Sequence, residues 1–166
     1  MTKLTYLNAN PKENPADYDR DLGRLALLAA TTPSFGAYRL DQAISILHAA
    51  LMTGQYRIYL DQNERPSAAL IWAFLNDEMT EEYLSRGRLP NVAAWTSGKD
   101  LWLLSMIANG DHYRQVVDDI KGDLFKDHDP IHVLRPSRHG DRRVVAFGHD
   151  GKVRVLRRLP SIREDD

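Results

Sequence analysis

The chain predicts an α/β protein with a mixed central sheet flanked by helices. Three observations lead there. Apolar residues recur at helical spacing through the first third, from Tyr18 to Leu51. Alternating or continuous apolar stretches of strand length follow at 55–60, 67–75 and 101–107. Further helical patterns lie between and after these stretches, so helices and strands interleave instead of segregating.

Residues 1–16 hold two prolines and few apolar groups, and they read as a flexible arm. Asp17 to Thr31 is a helix by the spacing of Tyr18, Leu22, Leu25 and Leu28–Ala29, and Pro33 stops it. Leu40 to Met52 is the second helix. Its stripe is Leu40, Ala43, Ile44, Leu47 and Leu51, and Gly54 marks its end. Gln55 to Leu60 alternates as a strand, and Asp61-Gln62-Asn63-Glu64 is a hairpin turn. Ser67 to Leu75 is apolar enough to lie centrally in a sheet. Asn76 caps a short helix over Asp77 to Ser85.

Arg86 to Gly98 is mainly loop, and Leu101 to Ile107 is a strand buried on both faces. A helix follows over His112 to Leu124, with Tyr113, Val116, Val117, Ile120 and Leu124 aligned. Ile131 to Leu134 is a strand. Arg142–Phe147 and Lys152–Leu156 form a hairpin around His149-Asp150-Gly151, where Asp-Gly suits a tight turn. Residues 17–158 make one domain, and 159–166 are a polar tail. This order is compatible with the GNAT acyltransferase fold.

Composition bounds the function. The 166 residues carry a net charge of −1, which gives no global attraction to nucleic acid. There is no cysteine, which excludes disulfides, thiol nucleophiles and thiolate metal sites. No apolar run is long enough for a membrane span, and the polar start is unlike a signal peptide, so the expected location is the cytoplasm. No pair of histidines has convincing metal spacing. Charge is uneven only near the end. From Arg135 to Arg163 there are nine Lys or Arg against Asp141 and Asp150. These cations suit either an outward, solvated strand face or a surface for an acidic partner.

The segment Trp95-Thr96-Ser97-Gly98-Lys99-Asp100-Leu101-Trp102-Leu103-Leu104-Ser105-Met106-Ile107-Ala108 resembles the "W-T-S-G-D-R-x-W-(hydrophobic)2-D-W-I-A-P" motif of the RTX toxin-activating lysine acyltransferases. Thr31-Thr32-Pro33-Ser34-Phe35 is similar to the family's "S-S-P-(L/M)-H-R". Arg65-Pro66-Ser67-Ala68-Ala69-Leu70-Ile71-Trp72-Ala73 is similar to its "x-P-V-A-Y-C-S-W-A". These blocks span roughly residues 31 to 110. The resemblance implies a variant of the GNAT fold. It also implies a fatty acyl donor in the form of acyl-acyl carrier protein, a protein lysine as acceptor, no bound cofactor and a homodimer. The family's catalytic histidine falls on Phe35, and its aspartate falls on Ser105. Pro33, Pro66, Trp72, Trp95, Gly98, Trp102 and Ala108 match the motifs.

Acyl transfer to lysine needs a neutral amine, a proton acceptor and donors for the developing oxyanion. Phenylalanine and serine do not reproduce a histidine–carboxylate pair. Ser105 either donates to the oxyanion or is a buried serine bonded to nearby backbone. His112 is the candidate base, because a helix N-terminus favours the neutral imidazole; the alternative is an exposed capping-turn residue. Asn109 and Gly110 form the loop after the strand, where phosphate would meet free helix N–H groups. Asp111 suits a helix cap. Thr32 offers a hydroxyl beside the motif, or ends a helix in a Thr-Pro turn. Phe35 fills the histidine's place, and Arg142 and Arg143 are candidate contacts to an acidic donor. His48 reads as a core-edge histidine, His132 as a strand residue, and His128, His139 and His149 as exposed turn residues. Two readings stay open: an acyltransferase with displaced catalytic groups, or a module that binds a protein or an acyl group in the same groove.

Overall fold

The structure is a computed structural model describing residues 3–6, 13–108, 110, 112–137 and 140–162. The first helix, α1 (Pro15–Ala30), starts two residues before the predicted Asp17, inside the stretch read as an arm. Asn14 caps it by accepting from the Ala16 N–H, and Pro15 sits where a helix lacks an intrahelical donor anyway. Pro33 follows the end of α1 and opens a single turn, α2 (Pro33–Gly36), which sequence periodicity does not disclose. α3 (Leu40–Thr53) ends at Gly54 with φ of 70°, the left-handed conformation a glycine adopts without strain. Its buried face is Leu47, Ala49, Ala50 and Leu51. Leu40 and Ile44, expected on the apolar stripe, are exposed. They sit on the first turns of α3.

The sheet has seven strands in chain order: β1 (Thr5–Tyr6), β2 (Tyr56–Leu60), β3 (Pro66–Leu75), β4 (Asp100–Ala108), β5 (Ile131–Pro136), β6 (Arg142–Phe147) and β7 (Val153–Leu159). β1 adds an edge to the sheet within the stretch read as a loose arm, pairing Thr5 with Leu60 and Tyr6 with Tyr59. Every neighbouring pair is antiparallel except β4 and β5. The architecture is α/β with a GNAT-like mixed sheet flanked by helices.

Alternation along β3 divides the core. Ala69, Ile71, Ala73 and Leu75 pack with α1, α3 and α4 (Asp77–Arg86) on one face. Ala68, Leu70 and Trp72 pack with Val116 of α5 (His112–Asp119), Ile120 and Phe125 on the other. α5 passes into a π-helical turn over Ile120–Leu124, so the predicted single helix is two segments. Two polar clusters fasten the layers. Asp21, only 3% exposed, accepts from Tyr56 Oη, Arg20 Nε and Arg24 Nη1. Asp119 accepts both from Arg57 Nη1, at 2.9 Å to each oxygen, and from Tyr59 Oη. The matched motif residues sit at structural positions. Trp95 and Trp102 are buried, and at Gly98 a Cβ would lie 2.3 Å from the Leu75–Asn76 backbone.

Candidate active site at the split between two parallel strands

The site follows from one irregularity of pairing. β4 has nine residues and β5 has six, yet they pair only at Trp102 with His132 and Leu103 with Val133. Beyond those pairs the carboxyl halves of the two strands separate. A crevice at the carboxyl ends of parallel strands is where open α/β sheets take ligands. β4 also bulges against β3, whose register shifts between Ile71, opposite Ser105, and Trp72, opposite Leu103. The bulge re-aims Leu104 and Ser105. It also explains the burial of β4: its first half is buried on both faces as expected, while Leu104, Ser105 and Met106 are only half-buried at the opening.

Two chambers meet at Leu104 and Ser105. One is apolar, about 350 Å³, and lies between β4, β5, α5 and the start of β7, with Met106, Val117, Ile120, Val133, Phe147 and Val153 in its wall. That volume is within the range of small-molecule sites. The other is about 90 Å³ and is walled by Phe35, Tyr38, Tyr83, Leu89 and Trp95 on the α1–α3 side of the sheet. It shares Tyr38, Ile46, Arg88, Leu89 and Trp95 with a larger open groove of about 560 Å³ beside α3, which also holds Asp41, His48 and Arg86. Ser105 therefore stands between an apolar chamber on one side and a path to the outer groove on the other.

Phe35 and Ser105, which fall on the two motif positions, line the same small chamber. Phe35 is 7% exposed and meets Tyr38 edge-on at 5.7 Å. Among the described residues no histidine lines this chamber. The phenols of Tyr38 and Tyr83 do, and neither was singled out by sequence reasoning. Their only sequence signal is an aromatic ring near the motif in one case and on a short helix in the other. Burial pushes the Tyr83 phenol well above the ordinary tyrosine range, so it stays neutral and can donate a hydrogen bond but cannot act as a base.

The other candidates are dispersed. His112 is not among the residues that line either chamber; it is half-buried, with Nδ1 enclosed and unpartnered among the described residues. It lies near Asp61, whose carboxylate is held below its usual range mainly by the Arg65 N–H, then by the Asn63 N–H, with His112 a lesser contribution. Gly110, at φ of 50°, accepts from the Tyr113 N–H and lines neither chamber. Asn109 and Asp111 lie outside the described residues, as does His139. The Thr32 hydroxyl donates to Leu28 O at 2.9 Å, which closes the end of α1.

Arg142 donates through Nε to Pro160 O and through Nη1 to Leu84 O, so its side chain ties the last hairpin to α4. Desolvation on burial holds its guanidinium below the usual arginine value. With Arg143 it borders a separate hollow, away from both chambers. His48 accepts from or donates to Tyr18 Oη at 2.6 Å, His132 stacks on Trp102, and His149 Nε2 meets Phe125 O. His128, expected to be exposed, is half-buried against Phe74 and Phe125. Among the described residues no group of three or more histidine, aspartate or glutamate side chains converges as a metal set, and no helix is long and apolar enough to cross a membrane.

Residues 14–147 match the model of the RTX toxin acyltransferase family. The chain is 29% identical over 110 residues to the lysine-acyltransferase RtxC of Vibrio cholerae, covering 66% of this chain and 72% of that protein. It is 30% identical over 105 residues to the uncharacterized protein sll0720 of Synechocystis sp., covering 63% of this chain and 71% of that protein.

Proposed function

We propose that this chain, which belongs to the RTX toxin acyltransferase family, takes a fatty acyl group from acyl carrier protein at the β4–β5 split and passes it to a lysine of a partner protein. The observation that carries this reading is the position of Ser105 between the two chambers. The apolar chamber takes the acyl-bearing arm along the unpaired half of β4. The small chamber and the groove beside α3 admit the lysine from the opposite face.

The neutral amine attacks the thioester carbonyl carbon, and the C–S bond then breaks. The Ser105 hydroxyl and a neutral phenol supply hydrogen bonds to the developing oxyanion. The departing thiolate takes the proton that the amine loses. With Phe35 where the family places its histidine, no imidazole at the small chamber accelerates that proton transfer. Rate then rests on holding amine and thioester together, and transfer is slow compared with a member that has the histidine–aspartate pair.

A second reading is favoured by the burial of Phe35: the chain keeps the groove as an acyl-binding or protein-binding module and performs no transfer. Intact-mass spectrometry separates the two. The protein is mixed with acyl carrier protein bearing acetyl through palmitoyl chains and with lysine-bearing partners captured from the native host. A partner mass gain equal to one acyl group supports transfer. A stable complex with unchanged masses supports the binding module.

A further inference from the structure

The wall of the apolar chamber is asymmetric in charge. Among the described residues it includes Lys121 on the π-helical turn and Arg135 near the end of β5, but no aspartate or glutamate. Both side chains are exposed at the rim, and among the described residues neither forms an ion pair. Arg135 is nonetheless held in place: its guanidinium carbon lies 5.1 Å over the Phe147 ring, itself part of the chamber wall. Of the carboxylates beside Gly148 of the wall, Asp150 is engaged by Lys152 at 3.4 Å, and Asp129 is the other. Lys121 lies on the π-helical turn that follows α5 and Arg135 on β5, so the two cations reach the chamber wall from different elements.

An apolar cavity with two unpaired cations at its entrance fits a ligand with an apolar chain and an anionic head. We propose that Lys121 and Arg135 form an anion-recognition pair at the mouth of the apolar chamber. Its target is either the phosphate of an acyl-bearing phosphopantetheine arm or the carboxylate of a free fatty acid. This rests on the reading that the chamber takes an acyl chain. The pair fixes the depth to which the chain enters, because the head stays with the cations while the tail fills the apolar wall. Arg135 is preorganised by the Phe147 ring, so it loses less side-chain freedom on binding than an unsupported arginine.

The test measures binding of S-palmitoyl-phosphopantetheine, S-palmitoyl-pantetheine lacking the phosphate, and palmitate to the full chain and to the Lys121→Ala/Arg135→Ala double variant. Thermal melts confirm that the variant is folded. The phosphate-bearing probe or palmitate is expected to bind about tenfold more tightly than the uncharged probe. That advantage shrinks as salt rises and vanishes in the double variant, whose affinity for the uncharged probe is unchanged. The phosphate probe winning identifies the arm as the source of the anion; palmitate winning identifies the free acid. Equal affinities for all three probes, or an advantage that survives in the double variant, overturn the pair while leaving the acyl chamber standing. Failure of every probe to bind overturns both readings together.

Discussion

Phe35 and Ser105 line one small chamber, although α2 and β4 bring them from distant parts of the chain. The motif resemblance puts the family's catalytic pair at these two positions, and a histidine and an aspartate there would line the same chamber. Restoring the pair should restore the chemistry. The Phe35→His/Ser105→Asp variant is expected to transfer acyl groups to lysine about 100-fold faster than the native chain, the gain a positioned general base supplies. Each single change should give far less. Initial rates of partner acylation check this, and equal rates for native chain and double variant would refute the pairing.

Ser105 and His112 separate in their expected effects. Ser105→Ala removes the donor between the chambers and should lower transfer by about tenfold or more, with acyl binding intact. His112→Ala should change transfer less than about twofold, because His112 lines neither chamber. Single-turnover rates for both variants decide it. A large loss in His112→Ala alone would return the base to the end of α5.

Much of this arrangement was legible in the chain. The helical stripe of residues 17–31 and the continuous apolar run of residues 67–75 give α1 and the central strand almost to the residue, because burial on one or two faces writes directly into periodicity. The partnership of Phe35 with Ser105 was legible only through motif resemblance. The bulge at Leu104–Ser105 was not legible, since a shift in backbone register leaves no mark on composition. Tyr38, Tyr83, Lys121 and Arg135 were missed for a related reason: only three-dimensional convergence of the turn after α2 with α4, and of the π-helical turn with β5, brings them to the chambers. The partners of Arg142 were not legible either, because charge on a strand says nothing about them, and here they are the carbonyls of Leu84 and Pro160.

The apolar chamber should set acyl length. Met106→Trp places a large ring in its wall, and the preference among loaded acyl carrier proteins should shift from long to short chains, with about 0.8 kcal/mol lost per excluded methylene. A competition assay read by mass gives the profile. An unchanged profile would place the chain elsewhere.

Asp119 is the fastening between α5 and the sheet. Asp119→Ala leaves the Tyr59 hydroxyl without its partner and Arg57, only 14% exposed in its side chain, with just the more distant Asp123 at 4.0 Å. The expected cost is about 2–4 kcal/mol of stability, measured by urea unfolding. A loss near zero would mean that water replaces the carboxylate without penalty.

Three phenols tie stability to alkaline pH. Burial first, and then the neighbouring carboxylates Asp21 and Asp119, raise Tyr56 and Tyr59 above the ordinary range; burial raises Tyr83. The folded state holds these protons more tightly than the unfolded chain does. Their contribution is therefore fully present below about pH 10, the unfolded value, and is lost as pH rises above it. Melting temperature should fall steeply past that point. A flat profile with all seven tyrosines ionising together would contradict this.

Acyl carrier protein loaded with a palmitoyl chain ending in a diazirine gives the most direct measurement. After irradiation, peptide mapping locates the adduct. The apolar chamber beside Ser105 predicts labelling at Met106, Val117, Ile120 or Val133. Adducts confined to the groove beside α3, or none on this chain, would contradict it.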